Sequence, residues 1–380
     1  MLQHDGYGEM GDGCRKAGTA GHGILTAMDD QIRAWFGDRR LAEDEARARA
    51  FWAGEGRCLV SVQCDPDYRQ QDLATMRRRA PQVLREQAAL PGCNIPSVFA
   101  DFGTVSMARP WGGRELSGEG GKPHLAPVTA DLQAALDAPV QAVEHPDGDV
   151  ARALHFFQQL SEDLATDRLW LRGPDMQGTL NTAALVVEQT ALMMAMYESP
   201  ELLAAFLERV CDRLIAVQEA LRRGSGDRLC GNIWPWVWLP PESGLSLTED
   251  YMPLLGPDQY ARFGLPYLEQ LSDRFGPVLM HCCGKWGRHV ANLHASRVRF
   301  RAVEIHCPLT TVDEVAPLAE AGCVIVPFLN QAGEAAFGDP VAFCRHLLQT
   351  TPWRYWFALG DGPMARAFAI EVAEAGLTPD

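Results

Sequence analysis

"PVLMHCCG" (Pro277–Gly284) is the stretch on which the reading of this chain turns. A short apolar run led by a β-branched valine passes straight into an imidazole, two thiols and a glycine. A run this short, ended by a turn residue, reads as a buried strand. Residues two apart on a strand share a face, so His281 and Cys283 point one way and Cys282 the other. Imidazole nitrogen and thiolate sulfur are the usual zinc donors, and a catalytic site needs three donors and an open position. Gly284 lets the backbone turn sharply just beyond. The other reading of these residues is a buried thiol pair beside a histidine bonded to a backbone carbonyl.

Outward from this run the same pattern recurs. "RCLVSVQ" (57–63), "IPSVFADF" (95–102), "RLWLRG" (168–173), "RLCGNIW" (228–234), "FRAVEIHC" (300–307), "CVIVPFL" (323–329) and "RYWFALG" (354–360) bring the candidate strands to eight. Nearly all are followed by helical sequence, the longest over about residues 179–223. Strand–helix alternation implies a parallel sheet, and eight such units imply a (β/α)8 TIM barrel. A doubly wound open sheet is the other parallel architecture, but no Gly-x-Gly-x-x-Gly follows the first strand. The expected α/β chain is one barrel domain over residues 28–378. It carries an N-terminal helical extension starting at "DDQIRAWF" and a Gly- and Pro-rich, hairpin-like insertion around 103–150. Residues 1–25 are Gly-rich and aperiodic and read as a disordered extension.

The 380 residues are 47% hydrophobic with a net charge of −15, enough apolar content for a large core. That charge excludes nucleic-acid binding, which needs a basic face, and docking on anionic membranes. No run of about 18 apolar residues is present to span a bilayer, and the start lacks an apolar signal segment. Eleven cysteines fall in no pairwise framework, so a reducing cytoplasm is the expected location.

Barrel active sites lie at the C-terminal ends of the strands. "EIHCP" ends the sixth strand with Glu304, His306 and Cys307, the first two on one face. Glu304 is read either as functional or as half of a salt bridge, and His306 either as a site residue or as a packing histidine. "ALGDGP" ends the eighth strand with Asp361 between two glycines. Trp234 and Trp236, in a Pro-rich loop after the fourth strand, line a pocket or fill the core. Glu249 and Asp250 are a helix cap or an acid–base pair. Asp175 and Gln177 follow the third strand, with Arg172 suited to a carboxylate or phosphate. Asp250 and Glu304 are thus the candidates for proton transfer. Trp234, Trp236, Asp175, Gln177 and His306 are the candidates for contact with a small-molecule substrate.

Taken with "GPDQYARFGLPYLEQLSDRF", "TEDYMPLLGP", "RGPDMQGTLNTAALVV" and "DPVAFCRHLL", the His-x-Cys-Gly run resembles the uroporphyrinogen decarboxylase superfamily. The likeness runs over about residues 50–375 and is closest to the methylcobalamin:coenzyme M methyltransferase branch. The resemblance implies a (β/α)8 barrel in which His281 and Cys283 bind zinc. It further implies a substrate thiol that takes a methyl group from methylcobalamin, carried by a separate corrinoid protein. The family's second cysteine falls on Asp361, which would complete the metal site unless Cys307 or His306 does. A carboxylate in that place is a harder donor and leaves the ion more Lewis-acidic. The arginine-rich motif of the true decarboxylases falls on "VQCDPDYRQQ", where Arg69 and Gln70 alone are similar, so porphyrinogen decarboxylation is disfavoured. The leading expectation is a zinc-dependent methyltransferase. A metal-assisted lyase, hydrolase or decarboxylase is the second, and a non-enzymatic binder of a small molecule or corrinoid the third. Members of the family occur as monomers and homodimers.

Overall fold

The computed structural model describes residues 30–64, 66, 68–70, 72–117, 123–232, 237–329 and 338–375. The reading of residues 1–25 and the positions of Trp234 and Trp236 fall outside these. Ten strands are present among the described residues: β1 Cys58–Gln63, β2 Ser97–Phe99, β3 Glu115–Ser117, β4 Pro123–Leu125, β5 Trp170–Arg172, β6 Leu245–Thr248, β7 Val278–His281, β8 Phe300–Cys307, β9 Val324–Leu329 and β10 Tyr355–Gly360.

The strands form a six-stranded sheet in the order β1-β10-β9-β8-β7-β6 and a two-stranded sheet, β2-β5. Every pair in both sheets is parallel. The chain is therefore a mixed α/β protein of barrel-like architecture, with helices between successive strands as the alternation implied. Its two sheets touch at one seam through a bridge between Gln177 and Thr248, where Gly178 N–H donates to the Thr248 carbonyl at 2.7 Å. At the other seam Cys93 N–H donates to Val60 at 2.8 Å.

Two details depart from the expected strand list. Of the fourth expected strand, 228–234, the described part is one bridge between Leu171 and Leu229, continued by hydrogen bonds from Gly173 N–H to Gly231 and from Met176 N–H to Asn232 at 3.0 Å each. Gly231 sits at φ +113°, which glycine reaches at no steric cost. Conversely, the Pro-rich segment that follows contains β6, which pairs with β7 from Leu245↔Val278 to Thr248↔His281. The long helix expected over 179–223 is three helices, Thr179–Val186, Gln189–Glu198 and Pro200–Gly224. Val187 leaves the helical region to bridge Thr129, and Pro200 starts the third helix at a position where its missing N–H costs nothing.

Alternation along the strands creates two apolar layers. Leu59, Trp170, Leu279, Ala302, Val324, Val326 and Trp356 belong to an inner cluster, and their neighbours such as Val60, Met280, Val303, Ile305 and Phe357 pack on the outer helices. Of the N-terminal extension, Gln31–Phe36 and Asp38–Ala53, the second helix seals the inner cluster from below with Ala48, Phe51 and Trp52, and the first packs on the outer layer through Ile32 and Phe36. Trp52 stacks on Trp356 with ring centroids 5.1 Å apart and donates its indole N–H to the Trp238 carbonyl at 2.7 Å. Truncating such a side chain costs about 3–5 kcal/mol.

The insertion is a hairpin as expected, with β3 antiparallel to β4. It folds back over the strand ends. Gly103, at φ +86°, lies so close to Pro123 that an added Cβ would sit 2.4 Å from its ring, and no side chain fits there. Among the described residues no helix is long and apolar enough to cross a membrane.

Candidate metal centre

The parity read from the sequence holds in space. His281 ends β7 and faces inward with Leu279, whereas Cys282 is fully buried in the outer layer. Glu304 and His306 lie on β8 in step with Ala302. His281, Cys283 and His306 thus bring three donor atoms within 4.8 Å of one another. His281 Nε2 lies 3.0 Å from Cys283 Sγ. The two imidazole rings meet edge to face at 5.4 Å, and His306 stacks on Phe328 at 4.5 Å.

Glu304 stands behind both rings with no solvent exposure. Its Oε2 bonds His281 Nδ1, and its Oε1 is 3.2 Å from His306 Nε2. A carboxylate on the far nitrogen of an imidazole fixes its tautomer and turns the other nitrogen toward a ligand. Asp250, just past β6, accepts the backbone N–H of Cys283 at 2.6 Å and lies 3.8 Å from His281 Nε2. It therefore pins the turn that carries the thiol.

The electrostatics follow from this packing. Burial opposes a charged His281, but the Glu304 carboxylate and the bonds to Cys283 and Glu304 carry its pKa well above the histidine range. Burial likewise opposes His306, and its bonds to Cys283 and Glu304 raise it to about 9. Burial pushes the Cys283 thiol up, yet the hydrogen bonds from His281 and His306 outweigh it and leave the thiol below its ordinary value. The shift is toward the thiolate, the form in which sulfur binds metals. Two imidazoles, one thiolate and a carboxylate behind them could hold a metal ion.

The group opens on a cavity of about 440 Å³. Its wall includes Asp175, Gln177, Thr248 and Asp250, with Phe99 and Asp101 from the end of β2 and Pro123 and His124 from the hairpin. The cavity sits at the C-terminal ends of the strands, as barrel logic requires. Of the residues singled out in the sequence, His281, Cys283, Glu304, His306, Asp250, Asp175 and Gln177 come together here.

Two others do not. Asp361 is not in the donor group: both its oxygens are held by Arg366, at 2.6 and 2.8 Å. Cys307 is 4% exposed, and burial pushes its thiol to about 12, far from thiolate character. His306 takes the third place instead. Arg172 is a structural residue, donating to Ser97 at 3.0 Å and the Val237 carbonyl at 3.1 Å. Glu249 lies outside the cavity wall, where burial raises its carboxyl to about 8 and Tyr260 donates to it at 3.2 Å. Asp101 was missed, although a carboxylate ending the apolar run "SVFAD" is the same signal that marks Asp175 and Asp250.

Against known proteins, no family model matches the chain and no curated protein sequence does. Solved structures do. The chain shares its fold with a methyltransferase from Methanosarcina mazei. The TM-score is 0.63 at 14% identity, over 88% of this chain and 98% of that one. At that identity the likeness is one of fold.

Proposed function

We propose that this protein is a zinc-dependent methyltransferase of the uroporphyrinogen decarboxylase-like superfamily, built on a closed (β/α)8 barrel. Its substrate thiol receives a methyl group supplied by methylcobalamin on a corrinoid protein. The observation that carries this reading is the convergence of His281, Cys283 and His306 at the floor of the cavity. The donor set suits zinc, which takes imidazole nitrogen and thiolate sulfur in a four-coordinate site. Three protein donors leave the fourth position for substrate.

Zinc bound there supplies the Lewis acidity that keeps a thiol deprotonated at neutral pH. The chain's own residues do the rest. Glu304 holds His281 from behind and faces His306 with its other oxygen. Asp250 fixes the Cys283 turn through Oδ1 and leaves its second oxygen to take a proton from an incoming thiol. The strand ends and the hairpin line the cavity onto which the exposed Cys283 opens.

A metal-assisted lyase or hydrolase is the second reading. It is favoured by the single thiolate in the donor set, since two imidazoles leave the ion more Lewis-acidic than two thiolates do. The test is metal analysis of the purified protein followed by methyl transfer from methylcobalamin to a small thiol. About one zinc per chain, with activity lost in Cys283→Ser and His306→Ala, is the expected result. A protein that takes up no zinc sinks both readings, and a zinc protein that hydrolyses or cleaves substrate without methyl transfer selects the second.

A further inference from the structure

We propose that Thr310 is a positioning residue of the donor group: with its hydroxyl and its backbone N–H it sets Cys283 against His306 before any metal arrives. This rests on the reading of His281, Cys283 and His306 as a metal centre and says what fixes the spacing within it.

Cys283 lies just past the end of β7, and His306 lies near the end of β8. The register of β7 on β8 runs from Val278↔Phe300 to Met280↔Val303. Past that point strand pairing no longer sets the distance between the two segments, and another contact must. Thr310 supplies it. It has no solvent exposure. Its Oγ1 donates to the Gly284 carbonyl at 3.0 Å and accepts the Trp286 N–H at 3.0 Å. Its own N–H donates to the His306 carbonyl at 3.1 Å. One residue thus holds the turn beside Cys283 with its side chain and the His306 segment with its backbone. Asp250 takes the Cys283 N–H from the other side. The turn that carries the thiol is therefore gripped from the β6 side by a carboxylate and from the β8 side by a hydroxyl.

The fit around this turn is tight. A Cβ on Gly284 would stand 2.5 Å from the Pro253 ring, and one on Gly287 2.5 Å from the Glu314 carboxylate. Glu314 is itself fixed by the Thr311 N–H at 2.8 Å. A turn wedged between the segments after β6 and after β8 passes any error in its seating to Sγ of Cys283. A hydroxyl has one proton and two lone pairs, so Thr310 satisfies a carbonyl and an amide at once. Buried groups that lose such a partner are costly to leave unpaired. Valine has the shape of threonine without either bond, and serine keeps both bonds without the methyl group.

The test compares Thr310→Val and Thr310→Ser with the unaltered full chain. Zinc affinity by chelator competition is measured beside the melting temperature of the metal-free samples. Thr310→Val is expected to lose about tenfold or more in zinc affinity, as when a ligand's supporting partner is removed, and Thr310→Ser to stay within about threefold. A merely structural threonine would lower the melting temperature and leave the zinc affinity of the folded chain unchanged. That result overturns the proposal, as does a serine variant that loses as much as the valine one.

Metal-free protein gives a second readout. The rate of Cys283 alkylation by iodoacetamide at one fixed pH is expected to shift in Thr310→Val toward that of His306→Ala, and to keep its unaltered value in Thr310→Ser. A valine variant with an unshifted rate overturns the proposal. This comparison needs no metal, so a chain that takes up no zinc sinks the metal reading while the part played by Thr310 is still decided. Hydrogen exchange of the Trp286 amide uses the unaltered protein and stands whether or not the valine variant folds. Without metal it is expected to be about a hundredfold or more slower than in a short unstructured peptide, the protection of a bond that opens only by local unfolding. Exchange at the peptide's rate until zinc is added would mean that the metal orders the turn, and overturns the proposal.

Discussion

Glu304 and His281 are joined through Oε2 and Nδ1, and the remaining oxygen of that one buried carboxylate stands 3.2 Å from Nε2 of His306. One acid thus bonds one imidazole and sets its charge against a second on the neighbouring strand. Replacing Glu304 by Gln keeps the shape and removes the charge. Zinc affinity is expected to fall by about 10–100-fold, the usual effect of losing such a partner, and more than for removal of one ring's partner alone. Competition against a chromophoric chelator measures this. An unchanged affinity would mean that the donors hold the metal without help from behind.

Asp361 gives the opposite expectation. It is tied to Arg366 and stands outside the donor group. Asp361→Ala should leave the zinc stoichiometry and affinity as they are, while His306→Ala abolishes tight binding. A loss of zinc in the Asp361 variant would return the third ligand to the eighth strand.

The thiol of Cys283 should react early. Burial works against its thiolate, but the bonds from His281 and His306 prevail. In metal-free protein its alkylation by iodoacetamide is expected to have a pH midpoint below that of a cysteine in a short unstructured peptide measured alongside. The rapid phase should vanish in Cys283→Ser, and the midpoint should move up in His306→Ala. A midpoint at or above the ordinary value contradicts the hydrogen-bonded arrangement.

Glu249 sets a pH dependence on stability. Burial raises its carboxyl to about 8 in the folded chain, against about 4.3 when unfolded. Between those values the folded form keeps a proton that the unfolded form has released. Stability therefore falls as pH rises through this window, by at most about 1.4 kcal/mol per pH unit, and levels off above it. Glu249→Gln should flatten that slope and be the more stable form at pH above about 8. Urea unfolding of metal-free protein across this range shows it, and parallel curves for the two proteins refute it.

How much of this was legible in the sequence varies with how local the cause is. Inward and outward parity is a property of one strand, so the pairing of His281 with Cys283 and of Glu304 with His306 was readable from spacing. Strand existence was readable where an apolar run is bounded by turns, as in β7 to β10. It failed at "LSLT", because four residues among prolines carry too short a pattern. Around Leu229 the run has the length of a strand but pairs through one bridge and a few hydrogen bonds, which a one-dimensional pattern does not show. Which side chain captures a carboxylate is settled across a turn: Asp361 meets Arg366 on the helix that follows, and no strand pattern shows that. The role of Glu304 emerged from neighbouring strands, since its partner His281 lies 23 residues away in the chain.

The Trp52 stopper beneath the inner cluster has a further consequence. With the underside plugged by stacked indoles, the inner cluster is closed beneath the strands, and the cavity lies at their other end. Any donor and acceptor of the proposed reaction would then both come to the donor group from the hairpin's end of the strands.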